Sequence, residues 1–185
     1  MHETRRLFVA TLAIAFALAG IPSAALGASA EEIRHDSEAA LSRLYASTPA
    51  AKALGAKAKG ILIFPHILKA GFIVGGQGGD GALQRGGKTV AYYRNIAASY
   101  GFQAGAEEFS YVLFLMTDSA VEYLDKSDGW ELGTGPTLVV VDKGMAKSLS
   151  TTTLKKDVYA FIFGQEGLMA GLSIEGSKIT RIHPE

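Results

Sequence analysis

The chain has 185 residues, of which 48% are hydrophobic and 19% charged, with 18 basic and 18 acidic side chains, 22 glycines and no cysteine. This length and composition predict a single folded domain and exclude a disordered polyelectrolyte. The lack of cysteine excludes a disulfide framework, a thiolate nucleophile and a lipid anchor on cysteine, and the neutral balance argues against a nucleic-acid partner.

The first 27 residues have the pattern of a cleaved secretory signal. Arg5 and Arg6 precede the apolar stretch 7–19, and small residues follow where a signal peptidase needs them. Cleavage is predicted after Gly27 and could instead follow Ala30. An uncleaved anchor is the alternative, since residues 7–30 carry no charge and are long enough to span a bilayer. We expect an exported protein of the periplasm or cell envelope, with residues 28–185 forming one domain.

Two helices are predicted next in the chain. An apolar stripe with helical spacing runs from Ile33 to Leu44. Thr48 and Pro49 fit the cap and first position of a second helix, which is rich in alanine and lysine up to Lys59. The pattern indicates a helical hairpin or a kinked helix.

The remainder is predicted to be mainly strand, in short runs rich in β-branched and aromatic residues: 61–64, 72–74, 89–93, 111–116 and 138–141. One helix interrupts them, capped by Asp118 or Ser119, and residues 142–157 are predicted to form an exposed loop. Because helices do not alternate with the strands, we expect the α+β class. N-terminal helices would pack on a strongly curved, mainly antiparallel, glycine-rich sheet or a barrel-like sheet.

Three short segments share the form glycine, large apolar, any residue, small apolar, glycine. Their glycines are Gly71 and Gly75, Gly101 and Gly105, and Gly167 and Gly171. In a strand the period of two puts both glycines of a segment on one face, which is then bare. Sharp curvature of the sheet is the favoured explanation, and a ligand surface is the alternative.

Nucleotide and calcium motifs are matched only superficially. Residues 76–81 have the glycine spacing of a dinucleotide site, and residues 82–89 are one residue short of a phosphate-binding loop, but a helix is predicted after neither. Residues 75–80 resemble a single calcium β-roll repeat, an architecture that needs many copies. In place of these three motifs, which together span residues 75–89, we predict a glycine-rich hairpin that crosses from strand to strand, and no cofactor.

Enzyme signatures are also weak. After the signal, the histidines are His35, His66 and His183, and no metalloprotease or serine-hydrolase motif surrounds them. His66 is interpreted as a packed or turn histidine. An unrecognised carboxylate pair could come from Asp80, Glu107, Glu108, Asp118 and Glu175, but the favoured explanation of each is a turn former or a solvated charge at a strand end. No catalytic residue and no metal ligand is predicted.

Two lysine clusters stand out against the neutral total charge. The first has four lysines and no acidic residue between positions 50 and 70: Lys52, Lys57, Lys59 and Lys69. The second, between two aspartates, contains Lys143, Lys147, Lys155 and Lys156. Such patches attract anionic headgroups at about 1 kcal/mol per cation, although surface lysines also serve solubility.

Four segments in order carry a resemblance to a known family: 58–65, 69–81, 101–107 and 167–177, with the sequences AKGILIFP, KAGFIVGGQGGDG, GFQAGAE and GLMAGLSIEGS. Together they resemble the SYLF lipid-binding domain. The resemblance implies a phospholipid-binding module, which in eukaryotic members binds phosphoinositides and works with actin, and which occurs in bacteria as exported proteins. An exported protein meets no actin, so we expect no actin partner.

The resemblance also implies a membrane-binding amphipathic segment at the start of the domain. Here residues 31–46 carry four acidic side chains against Arg34 and Arg43, which differs from a basic membrane helix. The lysine clusters are therefore the predicted lipid-binding residues. The leading hypothesis is an exported, non-enzymatic domain that associates reversibly with anionic membrane surfaces. The alternatives are an envelope protein-interaction module and a hydrolase with an unrecognised carboxylate site.

Overall fold

The structure is a computed structural model that describes residues 27–126, 129–141, 145–146, 149, 155–167 and 176–185. The side chains of 72–74, 99–104 and 167 lie outside this description, as do residues 1–26 of the predicted signal and Lys143, Lys147 and Gly171. The described part contains α1 (Ala30–Ser47), α2 (Pro49–Gly55), β1 (Gly60–Arg85), β2 (Lys88–Leu115), α3 (Asp118–Lys126), β3 (Trp130–Glu131), β4 (Leu138–Val140), β5 (Val158–Gly167) and β6 (Lys178–Ile182).

The two N-terminal helices form where the sequence predicts them. The Ser29 hydroxyl accepts a hydrogen bond from the backbone N–H of Glu32 at 3.3 Å, and the Glu32 carboxylate accepts from the Ser29 N–H at 2.8 Å. This reciprocal capping box fixes the start of α1. Thr48 is extended and Pro49 opens α2, so the predicted break between the helices is confirmed.

Two helix boundaries differ from the predictions. α2 ends at Gly55 rather than near Lys59. The N–H of Lys59 donates a hydrogen bond to the carbonyl of Leu115 in β2 at 2.8 Å, so this part of the chain already follows the sheet and not the helix. The hydroxyl of Thr117 accepts from the N–H of Ala120 at 3.2 Å. The cap of α3 therefore comes from the residue before the predicted pair.

Two long strands replace several of the short strands that the sequence predicts. β1 has 26 residues and β2 has 28, and they pair as one antiparallel hairpin with three register shifts. The glycine-rich hairpin predicted within residues 75–89 is confirmed, but residues 76–81 lie inside β1 and do not form its turn. The chain turns instead at Gly86 and Gly87, whose φ angles are 57° and 75°. Two successive positive φ values match the twist of a two-residue hairpin.

β1 bends so strongly that its second half lies against its first half. A Cβ added to Gly79 would lie 2.0 Å from the carbonyl oxygen of His66, and one added to Gly81 would lie 2.2 Å from that of Ile63. Only glycine allows two backbones to approach this closely. The strong curvature inferred from the repeated glycines is thus confirmed, although two other glycines make these contacts.

The described parts of the glycine repeats lie side by side in the sheet. Gly71 is opposite Gly105, and Gly167 is opposite Glu107, two residues further along β2. Gly101 falls at the register shift between β1 and β2. The repeats are therefore neighbours across three strands, which their positions in the sequence do not reveal.

β2 is the central strand of the sheet. It pairs with β1 on one edge and with both β5 and β6 on the other, and the order through it is β3-β6-β2-β5-β4. All of these pairs are antiparallel except that of β4 with β5. The result is a curled half-barrel with helices beside it, which confirms the predicted α+β class.

The sheet buries both of its faces. Leu62 and Phe64 point into a core that also holds Tyr111 and Trp130. Ile63, between them, belongs to the second core, which packs against α1 and α2. The alternation follows from the period of two in a strand. Among the described helices, none is both long enough and apolar enough to cross a membrane.

Candidate functional site

A groove runs between α1, α2 and the turn of the β1–β2 hairpin. It consists of two adjoining depressions of about 460 and 510 Å³ that share several lining residues. Leu41 and Tyr45 of α1 line both depressions, and the chain after α2 contributes Ala56 and Ala58 to one of them. The volumes fall within the range of ligand sites, and polar or charged side chains are half of those that line the second depression: Glu38, Ser42, Lys52 and Gln84.

Local sequence keeps this groove open. A Cβ added to Gly86 or to Gly87 would have no atom within 4 Å, so the hairpin turn leaves free space on the groove's far side. On the near side, a Cβ at Gly55 would lie 1.9 Å from the hydroxyl oxygen of Tyr45. Glycine at this position allows the Tyr45 ring to lie across the end of α2, stacked on Phe114 with ring centroids 6.3 Å apart. Burial raises the pKa of the Tyr45 hydroxyl.

Five exposed cations lie on chain segments that contribute lining residues to the groove. They come from two segments of the chain that the fold brings together and that contain no acidic residue, 52–59 and 85–88. We call them the basic rim: Lys52, Lys57, Lys59, Arg85 and Lys88. Lys52 itself lines both depressions. The ammonium of Lys59 lies 3.8 Å from the carboxylate of Asp118, in an exposed pair.

The structure divides the predicted lysines into different groups. Lys52, Lys57 and Lys59 lie on the basic rim, whereas Lys155 and Lys156 are exposed on the segment before β5, from which no groove-lining residue comes.

Lys69 is not a surface residue. It is only 5% exposed and lies opposite Glu107, also 5% exposed, in the β1–β2 register. The period of two along β1 places Lys69 on the same face as buried Ile67, which turns it inward. Its assignment to the surface cluster is therefore corrected. Arg85 and Lys88, which the sequence analysis missed, take its place on the rim.

The carboxylates considered for a hydrolase face different partners. Asp80 accepts two hydrogen bonds from the Arg94 guanidinium, at 2.7 and 2.8 Å. Glu108 lies 2.5 Å from the ring of His66. Glu107 is opposite Lys69 and Asp118 pairs with Lys59, while Glu175 lies outside the described residues.

His66 joins α1 to the sheet. Its Nδ1 contacts Glu108 of β2, and its Nε2 lies 3.6 Å from a carboxylate oxygen of Asp36 in α1. The side chain is 57% exposed, so it is a surface bridge rather than the packed or turn histidine that was predicted. In the part of the chain that the structure describes, no three histidine, aspartate or glutamate side chains are placed to hold a metal ion.

Comparisons with known proteins agree with the resemblance in the sequence. The profile of the family described as "Ysc84: Las17-binding protein actin regulator" matches residues 96–183. The chain is 35% identical over 129 residues to SH3 domain-containing YSC84-like protein 1 of Bos taurus and of Homo sapiens, and 34% identical over 128 residues to that of Rattus norvegicus. Each match covers 66% of this chain and 37% of the relative, so the chain spans little more than a third of the relatives' length. The chain belongs to the SYLF family, the family of Ysc84.

Proposed function

We propose that this protein is a non-enzymatic module that binds anionic phospholipid reversibly at a membrane surface of the cell envelope. The observation that carries the proposal is the basic rim: five exposed cations, and no acidic residue, lie on the two separate segments that supply lining residues to one groove, and Lys52 itself lines it. Membership of a family known for lipid binding supports the same conclusion.

The number of cations fits reversible association. Each lysine or arginine near an anionic surface contributes about 1 kcal/mol, so five contribute roughly 5 kcal/mol. That corresponds to a dissociation constant of about 0.2 mM. Salt screens this attraction over a distance of about 8 Å at physiological ionic strength. Binding to anionic liposomes should therefore weaken strongly as the salt concentration rises.

Liposome co-sedimentation at low and high salt, with and without anionic lipid, tests the proposal. The double variant Arg85→Glu/Lys88→Glu should weaken binding to anionic liposomes about thirtyfold or more, since it removes two cations worth about 1 kcal/mol each. Binding that is indifferent to lipid charge would contradict the proposal.

Lys155 and Lys156 provide a matched control, because they are also two exposed cations close together in the chain. Lys155→Glu/Lys156→Glu should bind liposomes more tightly than the rim variant does. The comparison also tests the second predicted lysine cluster. Equal losses in the two variants would show that the whole surface attracts the membrane and that the basic rim has no special part.

Actin is a separate question, since the family is described as an actin regulator. We propose that this chain has no actin partner, because the predicted signal directs it out of the compartment in which actin occurs. Co-sedimentation with actin filaments is the check, and saturable binding there would favour a protein-interaction module over a lipid-binding one.

A further inference from the structure

We infer that His66 is a pH-dependent latch, which holds the first half of α1 on the sheet when its ring is protonated and loosens that half when the ring is neutral. The latch is independent of lipid binding, because it concerns only how α1 is held. Its components are the imidazole of His66 in β1 and the carboxylates of Asp36 in α1 and Glu108 in β2.

Both nitrogens of the His66 ring face a carboxylate. Nδ1 lies 2.5 Å from Oε1 of Glu108, and Nε2 lies 3.6 Å from Oδ2 of Asp36. A neutral imidazole carries one N–H, so it presents a proton to only one of these carboxylates and turns a lone pair toward the other. The protonated ring carries an N–H on each nitrogen and attracts both. The bridge from the sheet to α1 is therefore complete only in the protonated form.

A third carboxylate adds to the negative charge near His66. Glu166 of β5 is exposed and lies directly opposite Glu108 in the sheet, and like charges in this position repel each other. A proton on His66 places a cation beside Glu108 and so offsets the repulsion. The lysine of β1, Lys69, is buried on the other face of the strand from the exposed His66. The charges at this surface thus favour the protonated ring.

The other ion pairs that the described residues of α1 form lie within the helix. Arg34 pairs with Glu31 and with Glu38, and Nδ1 of His35 lies 3.2 Å from the other carboxylate oxygen of Asp36. Pairs of this kind stabilise the helix itself. They do not connect it to the sheet, so they cannot replace the bridge when its ring is neutral.

The apolar contacts of α1 are uneven along the helix. Leu41 and Leu44, in its second half, belong to the core that packs on the sheet, whereas Ile33 is buried outside both cores. Asp36 lies in the first half. Loss of the bridge should therefore loosen residues 30–37 and leave the second half of α1 in place.

Amide hydrogen exchange, followed by NMR, measures this local opening. Protection factors are compared at about pH 5.5 and about pH 8, a range in which histidine changes its charge and aspartate and glutamate ordinarily do not. The stabilisation is present in acid and is lost as the pH rises. Protection of amides 33–37 should therefore fall about threefold, the size expected of an exposed pair, relative to that of amides 41–45.

Two variants and a matched control locate the effect. The side chains of His66 and Asp36 are 57% and 43% exposed, so both sites tolerate substitution. His66→Gln removes the titrating ring and should make protection at 33–37 independent of pH. Asp36→Asn removes the carboxylate on α1 and should do the same. His35→Gln is the control, because His35 also contacts Asp36 but lies on the same helix, and it should leave the pH dependence unchanged.

Several results would overturn the latch. One is equal protection of amides 33–37 at the two pH values in the unmodified protein. Another is a pH dependence that persists in His66→Gln or in Asp36→Asn, and a third is one that disappears in His35→Gln. Liposome binding is measured separately, so failure of the latch leaves the proposed function intact, and failure of liposome binding leaves the latch intact.

Discussion

The β1–β2 hairpin uses glycine in two regions for opposite reasons. In the middle of β1, Gly79 and Gly81 lie where backbones touch, and an added Cβ would come within 2.0 and 2.2 Å of carbonyl oxygens. At the turn, Gly86 and Gly87 have positive φ and nothing within 4 Å of an added Cβ. One pair closes the fold and the other leaves space beside the groove, so the same residue type serves packing in one place and access in the other.

The surroundings of the two regions differ in the same way. Close to the crossing, Asn95 lies opposite Gly79 and is fully buried, and both atoms of its carboxamide lack a hydrogen-bond partner within the described residues. Beside the turn, Arg85 and Lys88 are exposed. A closed region that buries an unpartnered carboxamide and an open region that carries charge are thus parts of one hairpin. Substitutions at four sites, with controls, test how far this contrast holds.

The largest effect is expected at the crossing. Gly81→Ala would force a methyl group against the carbonyl of Ile63, and backbone cannot move aside as a flexible side chain can. We expect the free energy of unfolding to fall by about 3 kcal/mol, at the upper end of overpacking effects. Urea denaturation measures it as a lower midpoint.

Gly76→Ala is the matched control for the crossing, because it lies in the same strand and its added Cβ would meet the Ala97 carbonyl at an ordinary 3.5 Å. The free energy of unfolding of the Gly76→Ala variant should differ from that of the unmodified protein by less than about 1 kcal/mol. If Gly81→Ala is as mild as Gly76→Ala, the two halves of β1 are not in backbone contact.

An intermediate effect is expected at Asp157, which lies outside both regions and so provides a scale for them. Its carboxylate accepts from the N–H and the hydroxyl of Thr137 at 2.9 and 2.7 Å, and these hydrogen bonds lower the pKa of Asp157. Asp157→Asn should lower the free energy of unfolding by about 1.5 kcal/mol at neutral pH, which is the usual contribution of a hydrogen bond to a charged group.

The lowered pKa of Asp157 sets the direction of the pH dependence. The charged form is favoured in the folded state, so its stabilisation is present at neutral pH and is lost as the pH falls below about 4, through the folded pKa. Urea midpoints of the unmodified protein and of Asp157→Asn should therefore converge in acid. A gap that is the same at pH 7 and in acid would show that the charge does not matter.

A smaller effect is expected at the turn. The methyl group of Gly87→Ala would have no atom within 4 Å. The free energy of unfolding should therefore fall by only about 1 kcal/mol, the backbone strain of a residue with a side chain at φ 75°. Gly87→Asn should cost less, since asparagine tolerates this conformation better. Urea midpoints rank the three proteins. A loss at the turn equal to that of Gly81→Ala would mean that the turn is packed too, and the contrast between the regions would fail.

Local signals made part of this fold predictable from the sequence. The helix break at Thr48 and Pro49 depends on adjacent residues, and the α+β class depends on the order of helix and strand patterns. The merging of short strands into β1 and β2 depends on contacts between distant residues. Gly79 and Gly81 were interpreted only as part of a glycine-rich hairpin. The sequence does not show whether a glycine faces open space or a carbonyl oxygen of another segment.

The candidate site shows the same division. Lys52, Lys57 and Lys59 were found because they are close together in the sequence. Arg85 and Lys88 were missed because only the fold brings their segment to α2. The inward position of Lys69 was in principle readable, since it shares the alternation of Ile67 in β1, but that required knowing that the strand continues past residue 64.

The smallest effect on stability, with a clear effect on binding, is expected at Lys59. Its pair with Asp118 spans 3.8 Å between exposed side chains, so Lys59→Gln should change the free energy of unfolding by less than about 0.5 kcal/mol. Affinity for anionic liposomes should fall about fivefold, which corresponds to the 1 kcal/mol of one cation. Lys126 is the matched control: it too is exposed and paired, with Glu122 on α3, but it is not on the basic rim. Because Lys126→Gln removes the same charge, an equal loss of liposome binding would mean that total charge governs the attraction. A loss confined to Lys59→Gln would place the attraction at the basic rim.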